Sequence, residues 1–145
     1  MKLTFFSDYS LRILMFAALH KDGKFSVDDV AKTYGLSRHH VAKAVNFLTR
    51  GGYLRAQRGR GGGIRLGRQA REIRVGTLVR QTERALPLVE CFNAVNNTCP
   101  LIRACLLKRA LAQAASAFFT ALDQYTLADL VREPAPLRRA LELNP

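Results

Sequence analysis

The chain has 145 residues, 48% of them hydrophobic, and its formal net charge is +12 at pH 7. This length suits one compact domain with a proper core, and no apolar run is long enough to span a membrane. Three cysteines, an odd number, and the absence of a signal-peptide pattern point to the reducing cytoplasm rather than to a disulfide framework.

The positive charge is concentrated in the N-terminal part of the chain. Residues 1–90 hold 17 lysines and arginines against 7 acids, and eight arginines fall between Arg50 and Arg74 beside the single acid Glu72. These arginines lie around glycines rather than along an amphipathic helix, so nucleic acid suits them better than a membrane surface.

The first two helices are predicted from apolar spacing and from their caps. Residues 5–19 have apolar side chains at helical spacing, and Thr4 or Ser7 can cap the start. Ser26 and Asp29 have the spacing of a capping box, which predicts that a second helix begins there.

A short turn, Gly35-Leu36-Ser37, leads into a third helix, which Ser37 caps and which stops at Gly51-Gly52. Helix, three-residue turn with glycine, helix is the helix-turn-helix pattern, whose second helix meets bases and phosphates with its first turns. The adjacent His39 and His40 point to different faces, so they suit DNA contact better than a metal. The candidate DNA contacts are Ser37, Arg38, His39, His40 and Lys43.

A β-hairpin is predicted next. Residues 53–56 and 64–66 are short strand candidates around an arginine- and glycine-rich tip that matches no phosphate-binding loop. After a helix-turn-helix, such a hairpin indicates the wing of a winged-helix DNA binder. Arg58, Arg60 and Arg65 would contact phosphates or the minor groove. The predicted fold class is therefore mainly α, a winged helix-turn-helix.

The C-terminal half is predicted to be helical. After a basic connector at 69–73 and a short helix at 75–81, a long helix runs from Leu101 to about Gln124, and Thr126 with Asp129 opens a last short helix. The long helix has an apolar stripe that suits a dimer interface, with packing on its own domain as the alternative. The stripe comprises Leu111, Ala115, Phe118, Leu122 and Tyr125.

The predicted organisation has four parts. Residues 1–84 form the winged helix-turn-helix region, 85–108 the cysteine segment and 101–132 the long helix with the short final helix. Pro134 and Pro136 are expected to end the ordered structure, which leaves a loose tail within residues 133–145.

All three cysteines, Cys91, Cys99 and Cys105, lie in one segment. Cys105, in an apolar run, suits a small core residue, whereas Cys91 and Cys99 flank an asparagine-rich loop and suit a ligand better. Zinc sites and iron–sulfur clusters usually take four protein ligands, and this segment has no histidine. A fourth ligand must therefore come from elsewhere, and an iron with an irregular ligand is suited to sensing.

Two alternatives come from other classes of protein. A thiol enzyme needs a base beside its cysteine, and the three histidines all lie in the N-terminal half, at positions 20, 39 and 40. A DNA-packaging protein with a structural zinc would share the basic charge but would have no sensing role.

Four stretches together resemble a family of dimeric bacterial winged-helix regulators that hold an iron–sulfur cluster. The likeness covers about residues 1–132 and implies a cytoplasmic homodimer that binds a palindromic operator in double-stranded DNA. The stretches are Leu3-Thr4 with Ser7-Asp8-Tyr9, the wing from Arg58 to Leu66, the three cysteines with Cys99-Pro100-Leu101-Ile102, and Tyr125 to Val131.

Within this family the details resemble the nitric-oxide-sensing repressors. Members with a [2Fe–2S] cluster use a histidine three residues after the last cysteine, where this chain has Lys108. Nitric oxide sensors can supply an aspartate from the partner's first helix as the fourth ligand of a [4Fe–4S] cluster, and Asp8 matches it. On the residues alone, Asp8 favours the helix dipole. The iron-responsive members, with similar cysteine spacing but without this aspartate, stay an alternative.

Overall fold

A computed structural model describes residues 2–20, 23–57, 59–83, 88–93, 95 and 97–143. The helices in these ranges are α1 (Phe5–Leu19), α2 (Val27–Tyr34), α3 (Arg38–Arg50), α4 (Val75–Glu83), α5 (Leu106–Asp123), α6 (Leu127–Leu130) and α7 (Pro134–Ala140). Strands β1 (Leu54–Gln57) and β2 (Gly63–Leu66) pair, and short 3-10 helices cover Ala70–Glu72 and Glu90–Phe92. None of the helices within the described ranges has the length and apolarity to cross a bilayer.

Local caps fix the first two helices as the sequence predicts. Thr4 caps α1, since its hydroxyl oxygen accepts the N–H of Ser7 at 3.2 Å. Ser26 and Asp29 form the reciprocal capping box of α2, which ends at Gly35 in the left-handed region, with φ 62°. Ser37 occupies the N-cap position of α3 but its side chain makes no capping bond, so that detail of the prediction is wrong.

One hydrophobic core joins the winged helix to the C-terminal elements. The most deeply buried side chains come from the first three helices, β1, the connector, α4 and α6. They include Ile13, Leu14, Phe16, Val30, Val41, Leu48, Leu54, Ile73, Leu78 and Leu127. Leu127 belongs to this core because the backbone around Ile73 to Val75 pairs with that around Tyr125 to Leu127. The chain therefore returns to its own DNA-binding region after the long helix.

The wing forms where it is predicted, with strand ends shifted by one residue. Leu54 pairs with Leu66, and Gln57 pairs with Gly63. On the edge of β2 that faces away from β1, Ile64 exchanges backbone hydrogen bonds of 2.9 and 2.7 Å with Phe25. The ammonium of Lys24 donates to the Gly61 carbonyl at 2.8 Å, which holds the hairpin tip against the segment before α2.

The mainly helical winged-helix fold is confirmed, but two predicted boundaries are wrong. The long helix begins at Leu106, not Leu101, because residues 100–104 form turns and Cys105 takes the N-cap position. The tail is not loose up to residue 143, since Pro134 starts α7. Proline suits the first helical turn, where no N–H bond is lost. Arg138 anchors α7 by donating to the Leu19 carbonyl at 2.8 Å.

Candidate nucleic-acid interface and cysteine segment

The predicted DNA contacts at the start of α3 are all exposed. These are Ser37, Arg38, His39, His40 and Lys43. The guanidinium of Arg38 pairs with Asp28 of α2 at 2.5 Å, and both side chains remain largely in solvent. DNA phosphate would therefore compete with Asp28 for Arg38.

The basic face extends further along α3 than the predicted contacts at its start. His39, Lys43, Asn46 and Arg50 recur at spacings of four, three and four, so they form one stripe along the helix. This stripe borders a cleft of about 750 Å³ that the start of α1 and the end of α4 close on the other side. Asn46 and Arg50 are therefore further candidates for DNA contact, and their helical spacing from Lys43 is the signal for them in the sequence.

The wing presents two arginines side by side, an arrangement that the sequence alone does not predict. Arg55 lies directly opposite Arg65 in the antiparallel register, so both side chains project on the same exposed face. Arg60 is exposed at the tip, and Arg58 lies outside the described residues. Like charges directly opposite destabilise a sheet, so this pair is best explained by an anionic partner such as the DNA backbone.

Other arginines of the basic block stabilise the fold instead. Arg68 donates to the carbonyls of Gly51 (2.6 Å) and Gly52 (3.2 Å) at the end of α3, and its guanidinium lies 4.5 Å from the Tyr53 ring centroid. Arg74 donates to the Asp123 carbonyl at 3.2 Å. These contacts satisfy helix-terminal carbonyls, which cations favour.

Side chains organise the loop between the first two cysteines. The carboxylate of Glu90 accepts the backbone N–H of Thr98 at 2.6 Å and its hydroxyl at 2.7 Å. These two hydrogen bonds hold the pKa of Glu90 below its ordinary value. Asn97 accepts the N–H of Cys99 at 3.3 Å, while Ala94 and Asn96 lie outside the described residues. The bonds between Glu90 and Thr98 thus join the two ends of the loop that Cys91 and Cys99 flank.

The three cysteines are half-buried free thiols. Cys91 lies in the 3-10 helix Glu90–Phe92, and Cys99 precedes the turns at 100–104. Cys105 caps α5, because its sulfur accepts the N–H of Lys108 at 3.4 Å. It is therefore neither in the core nor inside the helix, as its apolar neighbours suggested.

Asp8 lies in the first turn of α1, where it forms a two-bond ion pair with Arg12. The distances are 3.0 Å to Nε and 2.9 Å to Nη2, and both side chains are about two-fifths exposed. Among the residues that the structure describes, no group of three or more His, Cys, Asp or Glu side chains is arranged to hold a metal. The single chain thus does not bring the cysteines and Asp8 together.

The donor chemistry of the cysteine segment nevertheless suits an iron–sulfur cluster. Its three thiols are soft ligands, they are partly accessible, and they are not tied up in disulfides. Asp8, the further ligand that the resemblance implies, is also partly exposed.

The fold and its basic face define a winged-helix DNA-binding protein. A sequence profile of the Rrf2 family, described as iron-dependent transcriptional regulators, matches residues 3–133. The chain belongs to this family, and it is therefore a transcriptional regulator and not an enzyme. The thiol-enzyme alternative is thereby rejected.

Two relatives match nearly the whole chain. The HTH-type transcriptional regulator NsrR of Geobacillus kaustophilus is 46% identical over 143 residues, covering 98% of this chain and 97% of the relative. The regulator of the same name from Bacillus subtilis is 42% identical over 145 residues, covering 99% of each. Both relatives are named NsrR, so the resemblance of this chain to the NsrR branch of the family is confirmed.

Solved structures show the same fold. CymR, the global cysteine regulator of B. subtilis, superposes with a TM-score of 0.70 at 27% identity, covering 91% of this chain and 97% of that one. IscR of T. potens superposes with a TM-score of 0.71 at 22% identity, covering 92% and 88%. At that identity the IscR likeness supports the fold alone.

Proposed function

We propose that the protein is a homodimeric repressor that holds an iron–sulfur cluster on Cys91, Cys99 and Cys105. Nitric oxide attack on the cluster would release it from a palindromic operator. The observation that carries this proposal is the set of three half-buried free thiols around a closed loop, in a chain 42–46% identical to two NsrR regulators. Free thiols and a DNA target suit the reducing cytoplasm.

The cluster proposed is [4Fe–4S], with Asp8 of the partner subunit as its fourth ligand. A bound cluster would supply iron that reacts with nitric oxide. Within its own chain, the Asp8 carboxylate is neutralised by Arg12, so ligation in a dimer would have to displace or share that ion pair. An oxygen ligand with a competing cation is replaceable, which suits a site that must respond to a signal.

Dimerisation through α5 follows from the apolar surface that this helix leaves exposed. No residue of α5 is buried within the single chain. Of the predicted stripe, Leu111, Ala115, Phe118 and Leu122 are half-buried, whereas Tyr125 is exposed. Next to it runs a second apolar face that is exposed, which comprises Leu107, Ala110, Ala114, Ala117 and Ala121. Its small side chains would let two copies of α5 approach closely while the first stripe stays near α4.

DNA recognition would use the α3 stripe and the wing together. His39, Lys43 and Asn46 would reach base edges, while Arg50 and the wing arginines would contact phosphates. In a two-fold dimer the two α3 helices read half-sites about one helical turn apart or a multiple of it, so a change in subunit spacing weakens binding.

The family description favours one second candidate. Because the matching profile is described as iron-dependent, a regulator that responds to iron supply would use the same three cysteines. A zinc-stabilised DNA binder without sensing is the third candidate, and it would be colourless where a cluster protein is brown.

Anaerobic purification followed by a nitric oxide titration tests the proposal. We expect a cluster absorption band, four irons and four sulfides per chain, and loss of DNA affinity as nitric oxide is added. Replacing any one of the three cysteines with Ser should abolish the cluster. Asp8→Ala should retain it but lower DNA affinity, whereas Arg12→Gln, which removes the partner of Asp8 and keeps the carboxylate, should retain both. A colourless zinc protein, or DNA binding that nitric oxide leaves unchanged, would contradict the proposal.

A further inference from the structure

A buried carboxylate joins the end of α4 to the start of α1. Glu83 is only 7% exposed, and its Oε1 accepts the backbone N–H of Thr4 at 2.9 Å and the Thr4 hydroxyl at 3.0 Å. The hydroxyl of Ser7 donates to the same oxygen and lies 2.6 Å from that of Thr82. A buried carboxylate is costly unless such donors satisfy it, so these bonds hold the two helix ends in one arrangement.

This carboxylate contacts the turn that holds Asp8, and in the sequence it precedes the cysteine segment. On the α1 side, Thr4 holds Glu83 with its N–H and hydroxyl, while its carbonyl accepts the N–H of Asp8 at 3.1 Å. On the α4 side, Glu83 is the last helical residue, and Cys91 follows eight positions later. Thr4 alone thus separates the Glu83 side chain from the backbone of Asp8.

The same junction contacts the DNA-reading helix. The Phe6 ring packs edge-on against Phe47 of α3, with centroids 5.2 Å apart. Thr4 and Thr82 line the cleft whose opposite wall is the basic stripe of α3. A shift of the α4 end relative to α1 would therefore be felt at α3, since packed interiors transmit displacement rather than absorb it.

We infer that Glu83 is a positioning residue that couples the cysteine segment to the recognition helix. This inference rests on the proposed function. When the cysteine segment is held, Glu83 keeps the α4 end, the Asp8 turn and α3 in the arrangement that binds DNA. When the segment is released, the α4 end shifts and the hydrogen bonds to Thr4 and Ser7 pass that shift to α3.

The test measures coupling, not binding alone. For the full-length protein, the ratio of the DNA dissociation constants without and with the cluster is determined anaerobically, with iron and sulfide counted in each sample. Glu83→Gln keeps the shape but weakens the bonds, so we expect full cluster content and a ratio about fivefold or more below wild type. Glu72→Gln, the same change at an exposed glutamate in the connector, should leave the ratio unchanged.

Amide hydrogen exchange gives a readout that does not depend on DNA. In Glu83→Gln, the N–H of Asp8 should exchange faster, because its acceptor, Thr4, has lost its anchor. If Glu83→Gln fails to fold, Ser7→Ala, which removes one donor, takes its place with the same expectations.

The outcomes separate the inference from the proposed function. If the wild-type protein and Glu83→Gln give the same ratio, and that ratio is above one, the inference is overturned and the proposed function stands. Loss of the cluster from Glu83→Gln would also overturn the inference, because Glu83 would then serve cluster binding. A wild-type protein without a cluster, or with a ratio of one, would refute the proposed function and the inference with it.

Discussion

The arginines of the basic block should fall into two groups with opposite phenotypes. Arg55 and Arg65 face each other across the wing, whereas Arg68 caps the end of α3 and stacks on Tyr53. The test compares the double variant Arg55→Gln/Arg65→Gln with the single variant Arg68→Gln. The side chain introduced is the same in both, so the difference reports where each arginine lies.

The double variant should lose DNA affinity while its fold gains stability. Each phosphate contact contributes about −0.9 to the slope of log affinity against log salt, so two contacts contribute about −1.8. Raising the salt from about 50 to about 200 mM should then weaken wild-type binding about twelvefold more than that of the variant. Removing the repulsion between Arg55 and Arg65 should stabilise the hairpin by about 0.2–1 kcal/mol.

Arg68→Gln should behave in the reverse way. It loses two charge-assisted hydrogen bonds and one contact with an aromatic ring, all at an exposed site. Bonds to charged donors contribute about 1.5–3 kcal/mol and exposed cation–π contacts about 0.5–1 kcal/mol. After allowance for solvent screening, we expect a loss of about 1–2 kcal/mol in the free energy of unfolding. The salt slope should not change.

Fluorescence anisotropy titrations at several salt concentrations and urea unfolding measure both quantities. A mixed-sequence duplex is sufficient, because the electrostatic contribution does not depend on sequence. The reasoning is refuted if the double variant keeps the wild-type slope, since the wing face would then not touch the backbone. It is equally refuted if Arg68→Gln flattens the slope without lowering stability.

Three further predictions concern α4, α5 and the cap of α6. A Cβ on Gly76 would clash with the Asp123 carboxylate and lie 2.9 Å from the Asp123 backbone nitrogen. Gly76→Ala should therefore destabilise the fold by about 1 kcal/mol in urea unfolding, although alanine has the higher helix propensity. Thr77→Ala, on the exposed side of α4, should not destabilise it. Ala114→Glu should yield monomers in sedimentation, whereas Ser116→Glu on the polar side of α5 should remain dimeric; two dimers would contradict the α5 interface. The Thr126 hydroxyl and N–H, with Arg132, lower the pKa of Asp129 from 3.8 to about 2, so this carboxylate stabilises the fold above about pH 4 and the effect is lost as pH falls toward 2. Asp129→Asn should flatten the stability curve between those pH values, and an unchanged curve would argue against the cap.

The elements that the sequence predicts well are those that neighbouring residues encode. The capping boxes of α2 and α6 each depend on two residues three positions apart, Ser26 with Asp29 and Thr126 with Asp129. Both boxes form as predicted, because their hydrogen bonds need no distant partner. The end of α2 at Gly35 follows for the same reason.

The features that the sequence hides depend on residues far apart in the chain. Glu83 is bonded to Thr4, 79 positions away, and Arg138 to Leu19, 119 positions away. The residues that neighbour Glu83 and Arg138 in the sequence do not distinguish them from charged side chains that lie in solvent, where such side chains are usually found. The start of α5 was misplaced for a related reason: apolar spacing continues through residues 101–104, but the turns after Pro100 hold the backbone out of the helix.

The net charge of the chain overstates the number of basic side chains that are free to contact DNA. Four arginines donate to carbonyls or carboxylates that lie far away in the sequence: Arg68, Arg74, Arg80 and Arg138. Arg80 forms two hydrogen bonds with Asp123 and lies over the Phe119 ring, so it fixes α4 to α5. The set of basic side chains that point outward from α3 and the wing, here called the outward set, is therefore smaller than the composition suggests. It nonetheless lies on two adjacent elements that Lys24, Phe25 and Arg68 bind to the rest of the fold. Because a salt slope counts phosphates touched rather than charges carried, it should follow the outward set and not the formal charge of +12.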